Sequence, residues 1–306
     1  MKTVLVTGAH GFLGRQTTLL FKDRGYRVIG MGHGHWGFEN PFEFGIDRWI
    51  EADIDFYTLV KIKEELYCVV HCAGGSSVGY SVQYPVRDFH RTVTSSINIL
   101  EYIRLHHPRA KFIYPSSAAV YGKRDNQPIR EDDALCPISP YGFHKRIVEE
   151  LCASYATNFD LSSAIIRFFS IYGPGLKKQL LWDACNKLSD HPGVVEFFGT
   201  GDETRDWIHV KDAAELIFCL AESPEKYEIL NGGNGDAMTI RQVLTDMAAM
   251  FEGSPLIKFN QESREGDPKH YWADISRGMA KGWRPEICIE DGLREYVEWY
   301  KRQEKN

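Results

Sequence analysis

Tyr141 and Lys145 stand four apart in Tyr141-Gly142-Phe143-His144-Lys145, directly after the turn-forming pair Ser139-Pro140. If that stretch opens a helix, positions i and i+4 share one face, so the phenol and the ammonium converge. A neighbouring ammonium stabilises a phenolate and draws the tyrosine pKa down from its ordinary value of about 10. Tyr141 would then serve as a base near neutral pH. Tyrosine and lysine also meet at this spacing on many helices that do no chemistry. Ser116-Ser117-Ala118-Ala119-Val120-Tyr121-Gly122 adds weight, because it follows an apolar run ending near Pro115. A hydroxyl at such a strand end lies within reach of a bound substrate; taken alone it reads more simply as a turn serine.

A second group is rich in glycine. Gly8-Ala9-His10-Gly11-Phe12-Leu13-Gly14 follows the first apolar run and leads into a helical pattern. Glycines at this junction permit a tight turn and let the backbone approach a pyrophosphate, while the helix N-terminus presents N–H groups and a positive dipole end. The spacing is glycine-x-x-glycine-x-x-glycine, and its place at the first strand-to-helix junction points to a dinucleotide site rather than a structural turn. Asp53-Ile54 offers a carboxylate for an adenine amino group and an aliphatic surface for its ring; a helix N-cap is the competing reading of Asp53. Ala73-Gly74, after Cys72, is small enough for a cofactor to approach the backbone. Gly30-Met31-Gly32-His33-Gly34-His35 carries no acid where a ribose-binding Asp or Glu belongs. A carboxylate there favours NAD and repels the 2′-phosphate of NADP. Gly32 leaves room for that phosphate and His33 and His10 are placed to face it, so the cofactor expectation is NAD or NADP, leaning to NADP.

These groups must be positioned by alternating strands and helices. Thr3 to Thr7, Tyr26 to Met31, Cys68 to Cys72, Lys111 to Pro115 and Leu161 to Phe168 are short β-rich runs. Helical patterns cover about Phe12 to Arg24, Val86 to His106 and Tyr141 to Thr157. That rhythm predicts an α/β fold, a Rossmann-type doubly wound parallel sheet covered on both faces. After about Ser170 the rhythm breaks into shorter elements. The expected organisation is therefore a dinucleotide-binding domain over 1–169, completed by a segment near 205–222, and a smaller C-terminal substrate-binding lobe over 170–306. The charged tail from Arg302 to Asn306 reads as a frayed end.

With 36 basic and 42 acidic residues the net charge is -6, so no nucleic-acid partner is expected and any polyanion must meet a local cationic cluster. No apolar stretch approaches the roughly 20 residues of a membrane span, so no membrane partner is expected. The seven cysteines have no metal-type spacing and several lie in apolar runs; reduced buried thiols, no metal and a cytoplasmic location are the expectation.

Together these segments resemble the extended short-chain dehydrogenase/reductase family, in its nucleoside-diphosphate-sugar epimerase/dehydratase branch. The resemblance continues through Tyr172-Gly173-Pro174-Gly175, Gly199-Thr200-Gly201-Asp202, Arg205-Asp206-Trp207-Ile208-His209-Val210, Asn231-Gly232-Gly233, Arg264-Glu265-Gly266-Asp267 and Gly282-Trp283-Arg284-Pro285. It implies that Tyr141 takes a proton from a sugar hydroxyl while hydride passes to a nicotinamide. Ser117 would hydrogen-bond the same oxygen, and Lys145 would also bind the nicotinamide ribose. Arg205 and Arg264 would meet the substrate diphosphate. Ser77, in a loop resembling that of the 4-epimerases, would face the substrate. Ser170 stands where many relatives carry an Asn that touches the nucleotide-sugar. Ala118 and Ala119 replace the acidic pair of the 4,6-dehydratases.

The resemblance thus implies an NAD(P)-dependent nucleotide-sugar epimerase acting at C4 through a transient 4-keto sugar. The alternatives are an NADPH-dependent 4-keto-sugar reductase and, more remotely, a non-catalytic dinucleotide-binding protein. It also implies a homodimer built on the helical stretches Val86 to His106 and Tyr141 to Thr157. Their surplus apolar residues are Ile97, Ile99, Leu100, Ile103, Leu105, Ile147, Val148 and Leu151.

Overall fold

The computed structural model describes residues 1–37, 39–191, 193–262 and 269–304. Strands β1 (Thr3–Thr7), β2 (Arg27–Gly32), β3 (Arg48–Glu51), β4 (Cys68–His71), β5 (Lys111–Ser117) and β6 (Ser163–Phe168) form one parallel sheet with a seventh strand, Tyr227–Gly232. From edge to edge the order is Tyr227–Gly232, β6, β5, β4, β1, β2, β3. This is the doubly wound arrangement, with the order reversing at β1 and β4. The inner strands, such as Val4-Leu5-Val6 of β1 and Cys68-Val69-Val70 of β4, are buried apolar runs because helices cover both faces. Helix α1 (Phe12–Asp23) and the helix Val210–Glu222 enclose one core around Phe21, Val28, Val70, Ile166 and Ile217. The helices Ser95–His106 and Pro140–Phe159 enclose the other, around Ile29, Val69, Phe112, Ile103 and Val148.

The strand Tyr227–Gly232 had no clear signature in a region whose rhythm is broken; it pairs along the whole of β6, from Tyr227 opposite Ser163 to Gly232 opposite Phe168. The stretch from Val86 to His106 is not one regular helix: Pro85–Phe89 and Ser95–His106 are joined through a π-helical turn, His90–Thr94. At the other end the helix Ile289–Glu304 continues through Arg302, so that part of the charged tail is ordered, not frayed. This helix joins Gln179–Asp190 and Ile240–Ala248 in a separate core over the carboxyl edge of the sheet, with Leu181, Val243, Met247, Leu293 and Tyr296 at its centre. Short strand pairs, such as Ser170–Tyr172 with Trp207–His209, tie this lobe to the sheet.

The surplus apolar residues divide differently from expectation. Ile99, Leu100, Ile103 and Val148 are fully buried in the sheet-facing core, and Ile147 and Leu151 pack partly against it. The exposed apolar side chains here include Val78, Val82, Val86, Phe89, Leu105, Phe143 and Phe159. All seven cysteines are free; Cys68, Cys152 and Cys185 are buried, whereas Cys136 and Cys288 are exposed. No helix among the described residues is long and apolar enough to cross a membrane.

Candidate active site

Gly8 leaves β1 with φ +65°, and a Cβ on it would lie 2.6 Å from the backbone nitrogen of Ala73. The turns after β1 and β4 therefore meet backbone to backbone, which only glycine allows. A Cβ on Gly14 would come within 2.2 Å of the Gly8 carbonyl oxygen, so α1 is seated directly on the turn. Gly11 is its N-cap, and no side chain caps the opening N–H groups of Phe12 and Leu13. An uncapped helix start beside a glycine cradle fits a dinucleotide pyrophosphate. Gly74, at φ +136°, opens the facing turn, which is fixed where the Gly75 N–H donates to Thr92 Oγ1 at 2.9 Å.

Gly32 ends β2 outside the left-handed region, and a Cβ there would meet only ordinary contacts, the nearest at 3.5 Å from Trp49. His33 Nε2 lies 2.8 Å from Asp53 Oδ1, and both side chains are exposed. Asp53 is not a helix cap: Asp55 caps the turn Phe56–Leu59, accepting from the Thr58 N–H at 3.0 Å. Ile54 packs partly on the core beside it. His10 does not face the space beside Gly32 freely. Its ring lies edge-on to Trp36 and its Nε2 is 2.9 Å from the Arg15 guanidinium, and burial followed by that guanidinium lowers its pKa.

Across the sheet edge, Ser139 caps the helix Pro140–Phe159 by accepting from Gly142, and Pro140 occupies its first position. The Tyr141 N–H donates to Ser81 Oγ at 3.0 Å, a fixing contact no spacing rule revealed. Ser117 is the last residue of β5; its hydroxyl accepts from the Ala119 N–H at 3.2 Å and lies near enough to the Tyr141 phenol to draw its pKa down. Lys145 donates to the Pro115 carbonyl at 2.8 Å, with its Nζ 5.8 Å from the centre of the Tyr141 ring. The three groups predicted from sequence thus converge where β5 ends.

Their electrostatics depart from expectation. Burial pushes the Tyr141 phenol upward, the Ser117 hydrogen bond opposes this, and the Asp88 carboxylate pushes it further up. Burial outweighs the depression expected from Lys145, which itself donates to a backbone oxygen and is lowered by burial to about 8. His71, at the end of β4, is held between Thr7 Oγ1 at 2.7 Å and Ser95 Oγ at 3.2 Å; burial drives it down to about 3, so its ring is neutral.

Behind the site lies a buried network that the sequence did not reveal. Ser116 donates to Glu149 Oε1 at 2.5 Å, and Arg167 pairs with Glu149 at 2.8 Å. Arg167 also donates to the Tyr121 hydroxyl at 3.0 Å, which reaches Asn231 Oδ1 at 2.7 Å. These bonds hold β5, β6, the Tyr141 helix and Tyr227–Gly232 in fixed relation, and Arg–carboxylate pairing gives the geometry direction.

On the lobe side, Ser77 caps the short helix Val78–Gln83, accepting from Tyr80, and the Ser170 N–H donates to the Asp206 carbonyl at 2.9 Å. Arg205 is half-buried and donates to the Thr204 carbonyl at 2.8 Å. The neighbouring Asp206 side chain is fully buried and accepts from the N–H groups of Ala273, Asn234 and Gly235 at 3.0, 2.5 and 3.0 Å. Burial outweighs those bonds and raises Asp206 to about 6. Arg264 lies outside the described residues. Lys178 reaches across the cleft to donate to Ser76 Oγ at 2.8 Å, over a loop whose Gly175 packs on Phe12.

Comparison with known proteins agrees with this geometry. Residues 4–233 match the NAD dependent epimerase/dehydratase family. A UDP-glucose 4-epimerase of Corynebacterium glutamicum is 29% identical, the match covering 96% of this chain and 93% of that protein. The UDP-N-acetylglucosamine 4-epimerase of Methanobrevibacter ruminantium, solved with UDP-N-acetylmuramic acid, superposes with a TM-score of 0.89 at 27% identity, covering 99% of both chains. The UDP-glucose 4-epimerase of Brucella ovis, solved with NAD, superposes with a TM-score of 0.86 at 27% identity, over 97% of this chain and 98% of that one. With three-quarters of its length matching that family's model, this protein belongs to the NAD dependent epimerase/dehydratase family.

Proposed function

We propose that this chain is a nicotinamide-dependent nucleoside-diphosphate-sugar 4-epimerase. The observation that carries the reading is the convergence of Ser117, Tyr141 and Lys145 at the end of β5, beside the cradle of Gly8, Gly11 and Gly14. Tyr141 removes the proton from the sugar hydroxyl at C4 and later returns it, while Ser117 holds the same oxygen. The bound dinucleotide supplies the hydride acceptor and then the donor. Lys145 orients the ribose, and Phe12 and Leu13 present N–H groups to the pyrophosphate. His33, Asp53 and Ile54 flank the adenosine end, and Ala73 and Gly74 line the approach. Arg205 and Arg264 neutralise the substrate diphosphate, with Ser77 and Ser170 facing the sugar.

The finer cofactor choice rests on the absent acid at Gly32, which supports room for a 2′-phosphate; the NAD held by the Brucella ovis relative supports NAD. The exposed face formed by Val82, Val86, Phe89 and Phe143 supports a homodimer. The test is to incubate freshly purified protein with UDP-glucose, UDP-N-acetylglucosamine or UDP-glucuronate, without added cofactor. Inversion at C4 is followed by proton NMR, and the released dinucleotide is identified by mass spectrometry. Inversion of one sugar by protein that carries its own dinucleotide is expected. Consumption of NADPH against a 4-keto sugar, with no inversion, would overturn the reading in favour of a reductase.

A further inference from the structure

Asp88 and His144 have no part in the chemistry above, yet they form a buried polar contact beside it. His144 Nδ1 lies 2.5 Å from Asp88 Oδ2; Asp88 is fully buried and His144 nearly so. His144 stands three residues after Tyr141 and one before Lys145, so i,i+3 spacing puts it on the side of the helix that carries Tyr141. Asp88 belongs to the facing segment Pro85–Phe89, just before the π-helical turn His90–Thr94. Its second oxygen, Oδ1, is buried without a hydrogen-bond partner. A Cβ on Gly75 would lie 2.0 Å from that oxygen, so the carboxylate presses on the loop after β4.

A helix contact needs none of this. Apolar packing would join the two segments without an unsatisfied buried oxygen, and an ion pair in such a place is often matched in stability by hydrophobic residues. The charge is felt instead by the catalytic group. Asp88 opposes a second negative charge on Tyr141 and favours the charged form of Lys145. The other groups facing Tyr141 and Lys145 are Ser117 and Tyr114 from β5, His71 from β4, Cys72 just beyond it, and Glu149 from the same helix. Around the pair itself stand Thr92, Gly75 and the ring of Phe89, edge-on to His144 at 5.4 Å.

We propose that Asp88 and His144 act together as positioning residues that set the charge against which Tyr141 works as a base. Through its contact with one carboxylate oxygen, the His144 ring offsets part of the Asp88 charge felt by Tyr141; without the ring that charge acts in full. The inference rests on Tyr141 being the base of the proposed epimerisation.

The two halves of the pair therefore act in opposite directions, which a merely structural contact would not do. The experiment measures kcat against pH for the wild type, Asp88→Asn, His144→Gln and the double variant. Activity rises with pH as Tyr141 loses its proton, so the acid limb reports that step. Asp88→Asn is expected to move this limb to lower pH by about one unit, and His144→Gln to move it upward by a similar amount. The double variant is expected to follow Asp88→Asn, with KM little changed throughout. Limbs that stay in place, or that move the same way in both single variants, would overturn the proposal. Should His144→Gln not fold, Asp88→Asn and the double variant decide it. If the wild type turns over no nucleotide sugar, the 4-epimerase reading fails instead. The same comparison is then made on the phenolate absorbance of Tyr141, obtained by difference from Tyr141→Phe.

Discussion

The Tyr141 hydroxyl meets Ser117 at the end of β5, while the rest of the tyrosine ring is framed by neighbouring side chains. Tyr141→Phe removes the proton acceptor and keeps the ring, and Lys145 remains tied to Pro115. Turnover is expected to fall at least ~100-fold, the lower end of what acid–base catalysis contributes. Dinucleotide affinity, read by titration, is expected to stay near the wild-type value. A variant that keeps more than about a tenth of the rate would remove Tyr141 from the mechanism. Sequence showed these residues because helix spacing and a strand end are local rules. It missed the direction in which the Tyr141 pKa moves, since spacing reports proximity but not how little water surrounds the phenol. Glu149 and Arg167 escaped notice for a related reason: their bond crosses from helix to strand, and no periodicity encodes that meeting.

Two glycines in the turn after β2 have different duties. A Cβ on Gly34 would lie 2.1 Å from the His10 ring, whereas one on Gly32 meets only ordinary contacts and no positive φ is required there. Gly32→Asp is therefore expected to fold and to place a carboxylate at the ribose end of β2. NADP(H) affinity should fall relative to NAD(H) by roughly tenfold or more, the effect of one charge clash in a partly solvated site. Titration of both cofactors into wild type and variant measures the ratio. A wild type that already prefers NAD clearly would remove the NADP reading. The βα rhythm that made this turn legible fades after Ser170, where, apart from Tyr227–Gly232, strands of two to four residues are too short to show alternation. The π-helical turn was hidden too, because its neighbours keep a helical apolar pattern on both sides.

Val86, exposed by 66%, and Phe143, exposed by 50%, project from neighbouring helical segments that pack on the same side of the sheet. Single exposed apolar residues mean little, but a set that includes Val82 and Phe89 supports the proposed homodimer interface. The wild type is expected to scatter light as twice the 35.0 kDa chain at micromolar concentration. Val86→Glu with Phe143→Glu should give the single chain, through two buried unpaired charges per protomer. A wild-type monomer would sink the homodimer.

The place of Tyr227–Gly232 beside β6 bears on how the chain comes off the ribosome. β6 is finished at Phe168, but the strand that covers its outer side arrives only after residues 169–226 have been made. Through that interval the nascent sheet presents a bare row of peptide groups on a strand that the finished fold buries throughout, which is a template for pairing with another chain. The helix Val210–Glu222 and the strand after it close that edge together. A chain released before residue 232 would thus carry an open sheet edge although most of its dinucleotide site is already encoded. Aggregation of such truncated products, rather than accumulation of a trimmed soluble domain, is the consequence of this topology.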